Sequence, residues 1–159
     1  MTAIRSLGEA DAGTVAALIR LAFASLSATV EPPPSALRET AANIAAIFAA
    51  GGGGAGVDLD GRLVAACIWQ PQEGGLYFGR LSVHPEARGR GLARALIAAA
   101  EAEALARGLP RVLLSTRLAL ADNRRLFAAM GFREVALQAH PGFAEPTFVD
   151  MEKSLISTG

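Results

Sequence analysis

The sequence predicts an α/β fold: a central mixed, mostly antiparallel sheet flanked by helices. Three observations carry that expectation. Asp60-Gly61 joins two apolar runs, the pattern of a tight β-hairpin. Apolar residues recur at three and four positions through Val15, Leu18, Ile19, Ala22 and Phe23, the period of an amphipathic helix. A β-type run at 76–83, a helix opening near Leu92 and an apolar run at 111–116 form a strand–helix–strand unit. That unit sets parallel pairing beside antiparallel hairpins.

Each element has its own signal. Residues 3–6 read as a short first strand. The helix through Phe23 is preceded by Glu9 and Asp11, acids that suit the positive end of the helix dipole. Pro32, Pro33 and Pro34 break the chain. Ser35 is placed to cap a second helix reaching Ala50, with Leu37, Ile44, Ile47 and Phe48 as its apolar side. The four glycines at 51–54 read as a flexible connector. Gly51-x-Gly53-x-x-Gly56 matches a dinucleotide-binding pattern in letters, but it follows a helix and precedes a strand, the reverse of the required order. Strands at 57–59 and 62–70 flank Asp60-Gly61, a turn covers 71–75, and a strand at 76–83 completes a meander. The helix from Leu92 to Arg107 carries Leu92, Leu96 and Ala99 on one face and stops at Gly108. A strand at 111–116 follows. Asp122 is placed to cap a helix from Asn123 to Met130, ended by Gly131. Strands at 132–139 and 147–155 close the chain around a loop at 140–146.

The chain has 159 residues, a formal net charge of zero, 52% apolar residues and 19% charged ones. That size and composition suit one globular domain over residues 1–159, which needs no covalent staple. Zero net charge argues against nucleic-acid binding by global charge, and no basic stripe with interleaved aromatics is present. One cysteine, Cys67, lies inside an apolar run and reads as a small buried hydrophobe. With two histidines and no ligand-like spacing of His, Cys, Asp and Glu, no metal site is expected. Neither a signal-peptide pattern nor a membrane-length apolar run occurs, so a cytoplasmic setting is the expectation, with no membrane partner. Gly-x-Ser-x-Gly and Walker patterns are also absent.

The functional signal is Leu81-Ser82-Val83-His84-Pro85-Glu86-Ala87-Arg88-Gly89-Arg90-Gly91-Leu92-Ala93. A strand ends in a glycine-containing turn and a helix begins. Free N–H groups at a helix start, aided by the dipole, bind anions, and arginines add charge-assisted donors.

Arg88-x-x-Gly91-x-Ala93 resembles the Arg/Gln-x-x-Gly-x-Gly/Ala signature of the GNAT N-acetyltransferases. Asn123-x-x-Leu126-Phe127-x-x-Met130-Gly131-Phe132 is similar to that family's second landmark, an Asn-bearing helix closing on Gly-Phe. The resemblance spans residues 3 to 155. It implies an acetyl-CoA-dependent N-acetyltransferase that passes an acetyl group to a primary amine by direct attack. It also implies that the fourth and fifth strands splay apart to admit the acyl-CoA arm. Coenzyme A would be held by Leu81, Ser82, Val83, Arg88, Gly89, Arg90, Gly91, Leu92, Ala93, Asn123 and Phe127. The Val83 main-chain N–H would face the acyl carbonyl.

The sequence departs from the family pattern at Phe127, where many members carry a proton-donating tyrosine. That departure keeps open a non-catalytic acyl-CoA-binding module. Asn123 fits either a contact to the cofactor arm or a cap of its own helix. Tyr77, with 77, 79, 81 and 83 on one face if no bulge intervenes, fits either the acceptor site or strand packing. His140 fits either a base at the acceptor rim or a solvated loop residue. The acceptor, a small molecule or a protein amine, is not specified by the sequence. Monomer and homodimer both remain open.

Overall fold

The computed structural model describes residues 3–26 and 30–155. Its seven strands form one sheet in the order β1-β2-β3-β4-β5-β7-β6. In chain order the elements are β1 (Ile4–Ser6), α1 (Ala12–Ala24), α2 (Ala41–Ala49), β2 (Gly53–Leu59), β3 (Arg62–Gln72), β4 (Gly75–Val83), α3 (Leu92–Ala106), β5 (Arg111–Arg117), α4 (Ala121–Ala129), β6 (Arg133–Gln138) and β7 (Phe148–Ser154). Every pairing is antiparallel except β4 with β5. The predicted α/β class and element order both hold.

The sheet is covered on both faces. Val15, Ile19 and Ile44 of α1 and α2 pack with Leu63, Ala66 and Ile68 on one side. Leu92, Leu96, Ile97 and Ala100 of α3 and Phe127 of α4 pack with Val64, Cys67, Leu76 and Phe78 on the other. From Ala65 to Trp69, alternation along β3 sends successive side chains to the two layers, so its apolar run reads as continuous. Each of the two helices on this second side is followed by a left-handed glycine, with a bond from the next residue back into the last turn. Leu109 N–H donates to Ala104 O at 2.9 Å after Gly108, and Phe132 N–H donates to Phe127 O at 3.0 Å after Gly131.

Several local expectations are corrected. Ser35 opens a 3-10 turn, Ser35–Arg38, and Glu39 is extended. The cap of α2 is Thr40, whose hydroxyl accepts from Asn43 N–H. The glycine run is not a connector, because Gly53 and Gly54 belong to β2. A Cβ on Gly54 would sit 2.3 Å from the Cys67 carbonyl oxygen, so close strand packing, not flexibility, explains that glycine. The turn predicted over 71–75 shrinks to Glu73-Gly74, because β3 runs on to Gln72 and β4 starts at Gly75. Neither Asp122 nor Asn123 caps α4. The helix begins earlier, with Leu120 at the cap position, and Asp122 pairs with Arg125 one turn on.

The correction that matters most to the site is in β4. Ala66 pairs with Ser82 and Ile68 with Gly79, so two residues of β4, Arg80 and Leu81, oppose Cys67 alone. Arg80 takes up the extra residue at φ 54°. This bulge reverses the alternation, so Tyr77 and Gly79 do not share a face with Leu81 and Val83.

Candidate active site

β4 and β5 stay paired only at Leu76–Val112 and Tyr77–Leu113. Beyond those pairs they splay, as the family resemblance implies. The edges of the gap are formed by β4 residues past the bulge and by the last residues of β5.

One cleft, of about 560 Å³, lies at the wide end. Its walls are the C-terminal end of α1 (Ala22, Phe23, Ser25), the β4 residues Leu81 and Val83, the turn into α3, and the start of α4 (Asp122, Asn123, Leu126). His84 N–H donates to Val64 O on β3 at 2.7 Å. Successive N–H groups of a strand point to opposite sides, so the Val83 N–H faces away from β3 and into the gap.

The turn is shaped by two glycines. Gly89 at φ 80° and Gly91 at φ 76° are left-handed, and Gly91 is the residue preceding α3. No atom lies within 4 Å of where a Cβ on either would stand. The requirement for glycine is therefore the backbone conformation, with open cleft beyond it. Among the described residues, no protein acceptor takes the N–H groups of residues 89–94. Five of these six residues, all but Arg90, line the cleft at the positive end of a 15-residue helix. Arg88 crosses to α1, where its Nη2 donates to Ser25 Oγ at 2.7 Å, and Arg94 also lines the cleft. Such a cradle fits a diphosphate: unpaired N–H groups, a helix dipole and guanidinium donors converge on free space.

A second cleft, of about 380 Å³, shares Phe23, Leu81, Leu120 and Asn123 with the first, so the two adjoin. It brings together Tyr77, Asn123, Phe127 and His140, which the sequence could only nominate separately. The Tyr77 hydroxyl has no hydrogen-bond partner among the described residues. His140 packs edge-on against Phe148 with ring centroids 4.8 Å apart, and its Nδ1 lies in a short contact with Thr147 Oγ1. Desolvation, and then the nearby charge of Arg117, lower the His140 pKa below the ordinary imidazole value. Both effects favour the neutral imidazole.

Other nominated residues lie elsewhere. Ser82 is 1% exposed and its hydroxyl donates to Arg80 O, away from both clefts. Arg90 is exposed on the turn and lines neither cleft. Phe127 is a core residue, in edge-to-face contact with Phe78 and Phe132. Cys67 is buried with its thiol pKa pushed up to about 12 by desolvation, which excludes it as a thiolate nucleophile at neutral pH. No group of three or more potential metal ligands occurs among the described residues, and no helix there is long and apolar enough to cross a membrane.

Two residues of the second cleft escaped the sequence reading. Arg80 donates from Nε to Glu39 Oε2 at 3.0 Å and from Nη2 to Ser35 Oγ at 3.1 Å. Glu39 is 4% exposed and also accepts from Asn43 and from its neighbour's N–H, so the arginine is locked to the α2 cap. Arg117, the last residue of β5, donates to Pro32 O at 2.7 Å. The available signal was a charge interrupting an apolar strand at Arg80 and another ending one at Arg117.

Comparison with known proteins agrees with this geometry. The family model described as acetyltransferase (GNAT) family matches residues 15–132. No curated protein matches the sequence significantly. Among solved structures, yncA from Salmonella typhimurium, with its cofactor acetyl-CoA, superposes with TM-score 0.76 at 18% identity, covering 100% of this chain and 96% of that one. The ribosomal-protein-S18-alanine N-acetyltransferase of Escherichia coli gives TM-score 0.74 at 21% identity, over 100% and 97%. PaiA N-acetyltransferase of Thermoplasma acidophilum in complex with coenzyme A gives 0.74 at 18%, over 97% and 99%. With a family match over most of its length, and the strand, turn and helix of the signature in place, the chain belongs to the GNAT family of acetyltransferases.

Proposed function

We propose that the protein is an acetyl-CoA-dependent N-acetyltransferase acting on a primary amine. The observation that carries this reading is the set of unpaired N–H groups in the turn at 89–94, whose residues other than Arg90 line a cleft that adjoins a second one at the β4–β5 gap. Gly89, Gly91, Leu92 and Ala93 would hold the diphosphate through main-chain N–H groups, with Arg88 and Arg94 supplying charge. Leu81 and Val83 would pair with the pantetheine arm as a strand edge pairs with an added strand. Acetyl-CoA supplies an acyl group already activated as a thioester.

The chain's own residues do the rest by position. The Val83 N–H offers a donor aimed into the gap, where negative charge on an acyl oxygen is stabilised. Asn123, in the first turn of α4 and on the wall common to both clefts, offers amide hydrogen bonds where they meet. In the second cleft, His140 takes a proton from the bound ammonium, and the neutral amine so formed attacks the acyl carbon while the CoA thiolate leaves. The tautomer that donates Nδ1–H to Thr147 leaves the Nε2 lone pair free for that task. Tyr77 presents a free hydroxyl on the acceptor wall. Phe127 cannot protonate a departing thiolate, but a thiolate leaves readily near neutral pH.

Phe127 also favours a second reading, a module that binds acyl-CoA without turnover. Thiol release from acetyl-CoA across a panel of primary amines separates the two. Acceptor-dependent thiol release, with the acetylated amine found by mass, is the expected result. CoA binding without release across the panel overturns the enzyme reading.

A further inference from the structure

The acceptor itself is the open question at the second cleft, and the charges there bear on it. Among the described residues that line the cleft there is no Asp or Glu. Its charged groups are Arg80 and Arg117. Arg80 is balanced by the buried Glu39. Arg117 is not balanced: it forms no ion pair, and its only bond within the described residues is to the Pro32 carbonyl. Asp150, across from Ser115 on β7, accepts instead from Ser115 Oγ and Gln138 Nε2. Arg117 is also half-buried, and desolvation lowers its pKa, so the cleft has removed part of its water without supplying a counter-charge.

A guanidinium always carries its charge and presents a flat fork of donors. One held at the rim of a substrate cleft with an unused edge is a receptor for a carboxylate or a similar oxyanion. The same charge, in a cleft without acids, disfavours polycations. It also favours the neutral form of a nearby amine, the form that attacks. The remaining walls set apolar side chains, Phe23, Leu114 and Phe148 among them, beside uncharged polar ones such as Tyr77, Thr116 and Asn123, and about 380 Å³ is at the small end of ligand sites.

We propose that the acceptor is a small amine bearing an anionic group, of the α-amino-acid type with an apolar side chain, and that Arg117 is the residue that reads the anion. This rests on the acetyltransferase reading for the identity of the second cleft, but its test is a binding measurement that needs no turnover.

The full chain is titrated, with and without CoA, with L-phenylalanine and L-leucine and with the two amines that lack their carboxylates, phenethylamine and 3-methylbutylamine. The phosphonate analogue of phenylalanine and spermidine complete the panel. The acids are expected to bind at least about tenfold more tightly than their decarboxylated partners, the strength of a charge-assisted bidentate contact. In R117Q that ratio falls to within about threefold, and R117K retains most of it. The phosphonate arm tells whether the fork prefers a planar carboxylate or any oxyanion.

Equal or tighter binding of the decarboxylated amines or spermidine, an unchanged ratio in R117Q, or no binding of either acid at tens of millimolar overturns the proposal. Should R117Q not fold, the wild-type ratio and R117K still decide it. Thiol release is then followed with the same compounds. An acid preference without any release leaves the anion receptor standing and removes the acyl-transfer reading. Release without acid preference does the opposite.

Discussion

Gly91 is the residue on which the cradle turns. It holds φ 76° immediately before α3, a conformation that costs any other L-residue about 1–2 kcal/mol. Since no atom crowds the position of its missing Cβ, a substitution disturbs the backbone N–H groups without colliding with the core. Gly91→Val is therefore expected to keep the far-ultraviolet spectrum and a cooperative unfolding transition while weakening CoA about tenfold or more, from the strain together with the misaimed donors. Unchanged CoA affinity in the folded variant contradicts the cradle assignment. His140 carries a different prediction. Its folded pKa is below the ordinary imidazole value. With acceptor saturating, kcat reports groups in the bound complex, so kcat stays level from pH 8 to near 6.5, the ordinary imidazole pKa, and falls only below it. His140→Gln removes that acid limb. The same shift acts on stability. Below the ordinary imidazole pKa the unfolded chain binds a proton that the folded one resists, so His140 favours unfolding as pH falls. The placement of Val83 at the strand end and of Arg88 and Gly91 in the turn before α3 was legible in the sequence because it follows from local order: strand, turn, helix. Arg80 and Arg117 were not, because their meaning depends on which carboxylates the fold brings to them.

Among the elements, β4 decides how the two clefts relate. Its bulge at Arg80 lets Leu81 and Val83 face the α3 side while Tyr77 remains on the other face. The left-handed Arg80 is held by Glu39, which is buried and ties β4 to the start of α2. Removing the carboxylate strands a guanidinium in a partly dry setting. Glu39→Ala is expected to destabilise the fold by roughly 2–3 kcal/mol, less than a fully buried pair because Arg80 keeps about a third of its exposure. A urea titration measures this, and a loss under about 0.5 kcal/mol, the scale of an ordinary surface change, shows that the pair does not support the bulge. The strand–helix order was legible because periodicity and glycine stops are local signals. The bulge was not, since two residues facing one is a property of the pair of strands. The β2 glycines misled for a related reason: Gly54 is glycine because the Cys67 carbonyl is close, and a single strand's sequence does not show its neighbour.

At the scale of the whole molecule, the layout converts one irregularity into a site. A sheet that is antiparallel except between β4 and β5 opens at that parallel pair, and the helix layers on its two faces leave the opening uncovered at one end. The two adjoining clefts bring near one another the unpaired N–H groups of the turn, an outward-facing strand N–H, the His140 imidazole and an unbalanced arginine. The α/β class and the splay were predicted from element order and resemblance. The division into two adjoining clefts and the charge of the second came only from the three-dimensional arrangement, as side chains from α1, β4, β5, α4 and the loop before β7 meet there. All of it depends on a diphosphate-bearing thioester occupying the turn between β4 and α3. Isothermal titration of the folded protein with CoA and acetyl-CoA tests that most directly: saturable binding of both at a single site is the predicted result, and the absence of saturable heat at millimolar ligand would contradict it.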